Sequence, residues 1–226
     1  REEQKLKEED ILAGGKWLLS GFFRKCVVAD FCGIFVNNVY GDLANANALA
    51  IFAASALFLV QIYNDFAGYS EIALGCARLM GVKLSKNFDR PLTSTSYTEF
   101  FRRWHITLNQ WFTQYVYIPL GGNRKGTARK IINILIVFAL CGLWHGANWT
   151  FVLWGLASGV IMSIETLLRK PFAKLCAKTK IDLENPVVRV IRQVLLIIMF
   201  TLCSVLFRSG NMAEVGLAYS GMFSGW

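Results

Sequence analysis

The chain has 226 residues, of which 54% are hydrophobic and 17% are charged, and its net charge is +9. Soluble domains average about 45–50% apolar residues with glycine included, and about 25% charged residues, so this composition excludes a disordered chain, a coiled coil and an ordinary soluble enzyme. It predicts a membrane protein. Because the basic residues lie between apolar runs, they indicate cytoplasmic loops rather than nucleic-acid binding.

The first two segments both carry charge. Residues 1–10 are strongly charged and predict a helix in water. The apolar stretch 16–36 contains Arg24, Lys25 and Asp30, and charges at the centre of a spanning helix are costly. This stretch is therefore either a helix lying in the membrane interface or a span packed inside a bundle.

A transmembrane helix is most clearly predicted at 43–63, which contains no charged residue. At 1.5 Å per residue this segment spans about 30 Å, the thickness of the hydrocarbon core. We expect the helix to break or bend just beyond it, where Asn64, Asp65, Gly68 and Gly75 follow.

A basic shelf follows at 83–130, where nine Lys or Arg residues stand against two acidic residues. Within it, 97–118 is rich in aromatic residues interleaved with charge, and Trp and Tyr favour the membrane–water interface. We predict one amphipathic helix in or beneath the cytoplasmic headgroups, followed by a turn at 119–123.

The longest uncharged run, 131–164, has 34 residues and is too long for one crossing. The sequence HGAN at 145–148 interrupts it. We therefore predict a hairpin, with a first leg at 131–144 that is short of a full crossing and a second leg at 149–168. A further basic loop is predicted at 169–192, so both ends of the hairpin lie on one side of the membrane.

The predicted fold class is an all-α, polytopic transmembrane bundle with interfacial amphipathic helices and a last span at 190–207. We interpret 1–226 as a single membrane-embedded domain. The chain begins with Arg1 and carries no secretory signal, so we expect a piece of a longer protein. Its six cysteines show no CxxC spacing, so neither a metal site nor a disulfide framework is predicted.

Both histidines of the chain occupy unusual positions. His145 lies in the longest uncharged run, and an ionisable residue at membrane depth is a candidate functional residue; the alternative is a histidine that only hydrogen-bonds a neighbouring helix. Cys141, one helical turn earlier, suggests either a Cys–His nucleophile or helix packing. His105 lies on the predicted amphipathic helix, where it is either functional or part of a membrane anchor.

The charged residues near these segments allow two interpretations. Arg102 and Arg103 can bind a phosphate-bearing ligand or anionic lipid, and Glu99 lies within reach of a helix salt bridge to them. Asp65 either lines a cavity or acts as a cap or ion-pair partner. The sequence contains no phosphate-binding glycine loop, HExxH, GxSxG or EF-hand loop.

Four motifs resemble the membrane-bound O-acyltransferase family in order and spacing: NDFAGYSEIALGCARLMGV (64–82), FFRRWHITLNQWF (100–112), YIPLGGNR (117–124) and GLWHGANWTFVLWG (142–155). The third is similar to the branch that O-acetylates alginate and other polysaccharides or peptidoglycan, and the D-alanyl transfer proteins of teichoic acid synthesis are near relatives. The resemblance covers roughly 14–210. The chain departs from the family pattern at Thr113 and Gln114, where members often carry an Arg-Asp pair, and members are usually longer.

This resemblance implies acyl transfer from a thioester donor to a hydroxyl. His145 matches the membrane-embedded histidine of the family, and His105 matches its second histidine. A neutral imidazole suits the base that takes the hydroxyl proton, and burial favours that neutral form. Trp144 and Asn148 are candidate donors to the carbonyl oxygen as charge develops.

The remaining candidates for contact with substrate or donor are Arg102, Arg103, Trp104, Asn109 and Asp65. The implied donor is acetyl-CoA or an acyl carrier, as a substrate, and neither a bound cofactor nor a metal is expected.

The implied partners are the lipid membrane, an extracytoplasmic esterase-like protein that receives the acyl group, and a cytoplasmic acyl carrier. No nucleic-acid partner is expected, and the implied location is the inner membrane. Alternatives are D-alanyl transfer to teichoic acid, a transporter or channel that uses His145, and an inactive fragment.

Overall fold

The computed structural model describes residues 7–224, which form α-helices and connecting turns without a β-strand in that range. Four of these helices are long and apolar enough to cross a membrane: α3 (Ala48–Leu79), α6 (Gly126–His145), α7 (Trp149–Thr179) and α8 (Pro186–Arg208). The predicted all-α, multi-pass class is thereby confirmed. Most of the charged segment predicted at 1–10 lies outside the described residues.

The N-terminal helical run packs lengthwise against α3. It consists of α1 (Glu8–Phe22), a π-helical segment (Phe23–Ala29) and α2 (Asp30–Gly41). Two of its charges are paired across this contact, with Arg24 Nε 3.1 Å from Glu71 Oε1 and Lys25 bonded to Asp65, while Asp30 is exposed. The structure therefore favours the second of the two predictions for 16–36, a helix packed within the bundle.

Glycines set the close approach of α1 and α3. A Cβ atom added to Gly21 would lie 2.7 Å from the carbonyl oxygen of Gly68, and one added to Gly75 would lie 2.9 Å from that of Gly14. Small residues at an interface let two helix backbones approach in this way. Because Gly14 meets Gly75 and Gly21 meets Gly68, the helices run antiparallel in a fixed register.

Of the break or bend predicted after residue 63, the break is wrong, because α3 continues without interruption to Leu79. At 1.5 Å per residue its 32 residues span about 48 Å. Asn64 stays helical by donating its side-chain amide to the carbonyl of Val60 at 2.9 Å. The glycines that suggested a break instead form the contact surface for α1.

The single amphipathic helix predicted at 97–118 is also wrong. The segment forms α4 (Tyr97–Arg103) and α5 (Ile106–Phe112), then a π-helical segment (Thr113–Tyr117). The interruption falls at Trp104 and His105, where His105 adopts the left-handed conformation with φ +43°. The turn predicted at 119–123 is confirmed, within a longer turn at 118–125.

The helical hairpin is confirmed, with α6 ending at His145 and α7 beginning at Trp149. Its first leg is longer than predicted, because α6 begins at Gly126 and its 20 residues span about 30 Å. The basic loop predicted at 169–192 is wrong in extent, since α7 and α8 occupy most of it and leave only 180–185 as the connection. The span predicted at 190–207 is confirmed by α8.

The last helix, α9 (Met212–Phe223), has no counterpart among the predictions. It closes one core cluster with α2, α3 and α8, in which Ile51 and Val205 are fully buried. A second cluster joins α4 to α3, α6 and α8, and there the ring centroids of Phe100 and Phe200 are 3.8 Å apart. This second cluster forms one wall of the cavity that contains both histidines.

Candidate active site

Both histidines line one internal cavity of about 80 Å³, the histidine cavity. His105 reaches it from the α4–α5 interruption and His145 from the end of α6. The rest of the lining is aromatic and aliphatic apart from Ser204, with rings contributed by α3, α4, α7 and α8: Phe58, Phe66, Phe100, Phe101, Trp104, Trp154, Phe200 and Phe207. Residues 40 positions apart in the chain thus share one largely apolar space.

His105 is held by its backbone rather than by hydrogen bonds to its ring. The side-chain amide of Asn109 donates to the carbonyl oxygens of Phe101 at 2.7 Å, Trp104 at 2.6 Å and His105 at 3.3 Å. The ring Nδ1 atom is buried and has no partner among the described residues. Burial lowers the pKa of His105 from its usual 6.5, so the imidazole is neutral at pH 7.

His145 lies among aromatic rings. Its ring centroid is 4.8 Å from that of Trp144, 5.3 Å from that of Trp154 and 5.0 Å from that of Phe207. Trp144 also contacts the ring of His105, at 6.0 Å between centroids. Trp144 therefore packs against both imidazoles from outside the cavity lining.

This arrangement is suited to proton transfer in a site with little water. A neutral imidazole has one nitrogen free to accept a proton, and positioned bases of this kind contribute about 10²–10⁴-fold to a reaction rate. Apolar walls exclude water, which strengthens electrostatic interactions inside the site. Among residues 7–224, no cluster of three or more His, Cys, Asp or Glu side chains is placed to hold a metal ion.

The predicted charged candidates lie outside the histidine cavity. Arg103 Nη2 is 2.7 Å from Glu99 Oε1, the salt bridge that the sequence suggested, and Arg103 Nη1 donates to Thr93 Oγ1 at 3.1 Å. Arg102 is exposed. Asp65 pairs with Lys25 on α1.

Of the other predicted site residues, one lines the cavity and the asparagines support the backbone around it. Trp104 lines the cavity, whereas the Asn109 amide is engaged by the α4–α5 turn. Asn148 caps α7 by accepting from the Thr150 N–H at 3.1 Å, and it donates to the Gly210 carbonyl at 2.8 Å. Cys141 does not line the cavity.

Several lining residues were not singled out from the sequence. Phe66 and Trp154 fall inside the quoted motifs, next to Asp65 and nine residues after His145, so their position in the motif is a usable signal. Phe207 lies 5.0 Å from His145, between ring centroids, but belongs to α8, where no motif marks it. The packing of α8 against both α3 and α7 brings it to the site.

The fold and the site together define a polytopic α-helical membrane protein with two histidines on one buried cavity. Residues 3–208 match the family model of MBOAT, the membrane-bound O-acyltransferase family. The chain therefore belongs to this family, and the resemblance noted from the four motifs is confirmed.

Several curated relatives are similar to most of the chain. A probable alginate O-acetylase of Azotobacter vinelandii is 35% identical over 206 residues, covering 91% of this chain and 39% of the relative. A peptidoglycan O-acetyltransferase of Helicobacter pylori is 37% identical over 154 residues, covering 68% of this chain and 29% of the relative. A teichoic acid D-alanyltransferase of Streptococcus thermophilus is 33% identical over 175 residues, covering 69% of this chain and 40% of the relative. The chain thus spans well under half the length of these relatives.

Proposed function

We propose that this chain is the histidine-bearing part of a membrane O-acyltransferase that moves an acetyl group from a thioester donor towards hydroxyl groups of a cell-surface polysaccharide. The observation that carries the proposal is the histidine cavity, which brings His105 and His145 together in a chain of the membrane-bound O-acyltransferase family. The names of the relatives support O-acetylation, since a probable alginate O-acetylase matches across 91% of the chain.

In the proposed reaction His145 is the general base. The acceptor hydroxyl oxygen attacks the thioester carbonyl carbon, its proton passes to the imidazole, and the C–O bond forms as the C–S bond breaks. The proton then passes to the leaving thiolate, so the imidazole returns to its neutral form. His105 positions or activates the thioester at the other side of the cavity.

The lining of the cavity favours acetyl over D-alanyl transfer. Its volume of about 80 Å³ suits a small acyl group, and the lining contains no Asp or Glu among the described residues. D-Alanine carries an ammonium group, and burying a charge without a partner of opposite sign is costly. An acetyl group carries no charge and suits a lining of apolar walls, two imidazoles and the Ser204 hydroxyl.

The proposal includes the setting of the reaction. The donor is acetyl-CoA or an acyl carrier that approaches the basic shelf from the cytoplasm, and the membrane is the inner membrane. The acyl group leaves on the other side to an extracytoplasmic esterase-like protein that modifies the polysaccharide. The basic residues of 83–130 support this orientation through the positive-inside tendency.

The test is acyl transfer by the purified full-length protein in proteoliposomes. We expect label from a radiolabelled acetyl thioester to appear in an ester on the acceptor, and a D-alanyl thioester to be a much poorer donor. Preference for D-alanine would replace the acetyl proposal with D-alanylation. Movement of a label across the membrane with no new ester would contradict acyl transfer and favour a transporter.

A further inference from the structure

A second, larger cavity lies between α1, α3 and the segment 86–90, and we call it the polar cavity. Its volume is about 330 Å³, and its lining includes three basic side chains, Arg24, Lys86 and Arg90, together with Glu71 and Asp89. We infer that the polar cavity binds a phosphate group carried by a small ligand.

The charges that remain free in the polar cavity favour an anion. The Glu71 carboxylate is already engaged, because Arg24 Nε lies 3.1 Å from Oε1 and Ser20 Oγ donates to Oε2 at 2.6 Å. Lys86 and Arg90 form no ion pair within residues 7–224, and Lys86 instead lies over the ring of Trp17 at 5.5 Å. Two unpaired cations therefore face one carboxylate, that of Asp89.

Both of these cations are accessible to a ligand. Lys86 and Arg90 are exposed side chains that line the polar cavity. They supply charge-assisted donors of the kind that phosphates favour.

A single layer of aromatic rings separates the polar cavity from the histidine cavity. Tyr63 and Phe88 line the polar cavity, and their ring centroids are 6.0 Å and 5.1 Å from that of Trp104, which lines the histidine cavity. A ligand in the polar cavity would thus lie beside Tyr63 and Phe88, whose rings contact Trp104 on the other side of this layer. The link to the thioester donor rests on the proposed function, whereas phosphate binding itself does not.

Phosphate groups reach this position from two sources, the acyl donor and an anionic phospholipid headgroup. We propose binding measurements on the full-length protein in neutral detergent, with coenzyme A as one probe and phosphatidylglycerol as the other. Lys86→Gln and Arg90→Gln are expected to weaken binding of one probe at least tenfold. Lys83→Gln is the matched control, because Lys83 is also exposed and lies three residues before Lys86 but does not line the cavity.

The pattern of results assigns the source. Loss of coenzyme A binding in Lys86→Gln and Arg90→Gln, but not in Lys83→Gln, supports a donor site, and the same pattern with phosphatidylglycerol supports a lipid site. Equal effects of Lys86→Gln and Lys83→Gln, or no effect on either probe, would overturn the inference. Acyl transfer measured in the same preparations separates the two proposals, because specific phosphate binding without transfer retains this inference and contradicts the proposed function.

Discussion

At the scale of single residues, the conformation of His105 is the least expected feature of the chain. A non-glycine residue in the left-handed region costs about 1–3 kcal/mol and persists only when its surroundings enforce it. Here the Asn109 amide binds the carbonyl oxygens of Phe101, Trp104 and His105 and so holds the turn. Asn109 is therefore a positioning residue for the His105 imidazole.

Replacing Asn109 is expected to impair transfer through that position. Asn109→Ala removes three hydrogen bonds to the turn, and displacement of a reacting group by about 1 Å can cost roughly 10²-fold in rate. We expect kcat to fall about ten- to hundredfold in membranes that contain normal amounts of protein. The exposed neighbour Gln110 provides the control, and an equal loss in Gln110→Ala would contradict this role.

The pH dependence of transfer follows from the burial of His105. Its pKa is lowered from 6.5, and the neutral imidazole is the form proposed to position the thioester, so the activity controlled by His105 is fully present at pH 7 and is lost as the pH falls through the lowered pKa, below 6.5. Phe66→Ala removes a ring whose centroid is 4.7 Å from the imidazole and is expected to move the acid limb of the pH–rate profile upwards. An unshifted limb in Phe66→Ala would show that His105 does not control it.

At the scale of elements, α7 holds the N-terminus of α4, the helix that ends just before His105. Glu165 of α7 accepts hydrogen bonds from the backbone N–H groups of Tyr97 at 2.8 Å and Thr98 at 3.1 Å, and the Tyr97 hydroxyl donates to Ser158 at 2.9 Å. A carboxylate is favoured at a helix N-terminus. Since α7 also begins just after His145, this contact links the positions of both histidines.

We expect Glu165→Ala to lower kcat about tenfold by releasing the start of α4. Glu165→Gln keeps an oxygen acceptor and is expected to recover most of the activity, while Glu184→Ala, at an exposed acidic residue in the connection between α7 and α8, is expected to have no effect. Transfer rates of the three variants in the same membranes check this. Failure of glutamine to restore activity would indicate that the charge, rather than the hydrogen bonds, matters.

The contact between α1 and α3 predicts a contrast between two glycines of α1. A Cβ atom on Gly21 would lie 2.7 Å from the Gly68 carbonyl oxygen, whereas one on Gly15 would meet nothing within 4 Å. We expect Gly21→Ala to destabilise the protein by about 1–3 kcal/mol and Gly15→Ala to be neutral or stabilising by up to about 1 kcal/mol. Thermal unfolding in detergent measures both, and equal midpoints would contradict the close approach.

The elements that the sequence could predict are those set by local pattern. The hairpin was predictable, because 131–164 is longer than a bilayer is thick and polar residues interrupt it. The turn at His105 was not, because a tertiary amide contact from Asn109 stabilises it inside a continuous aromatic pattern. The break expected near Gly68 and Gly75 does not occur for a related reason: these glycines serve helix packing, which depends on partners 47 and 61 residues away in the chain.

The site was predictable only in part. Each histidine was a candidate because of its position in the sequence, and the family resemblance assigned both to the active site. No sequence pattern, however, indicated that the two imidazoles line the same cavity. Arg102 and Arg103 are adjacent in the sequence and were therefore predicted as a candidate phosphate site. The cations that line a cavity are instead Arg24, Lys86 and Arg90, which are not adjacent in the chain. Such groupings arise from packing and carry no local signal.

At the scale of the whole molecule, the two cavities are neighbours separated by aromatic rings. The polar cavity is lined by α1, α3 and residues 86–90, and the histidine cavity is lined by α3, α4, α7, α8 and the two histidines. Both cavities include residues of the basic shelf 83–130. In the proposed reaction a phosphate-bearing thioester therefore approaches both cavities from this shelf.

Acyl transfer by the His145→Ala variant of the full-length protein is the measurement on which the proposed chemistry depends. Removal of the base is expected to lower the rate by at least about 10²-fold, while expression and membrane insertion remain normal. Trp149→Ala is the matched control, because Trp149 lies four residues further on, is 70% exposed and does not line the cavity. A His145→Ala variant that transfers the acetyl group at the wild-type rate would contradict the assignment of His145 as the general base.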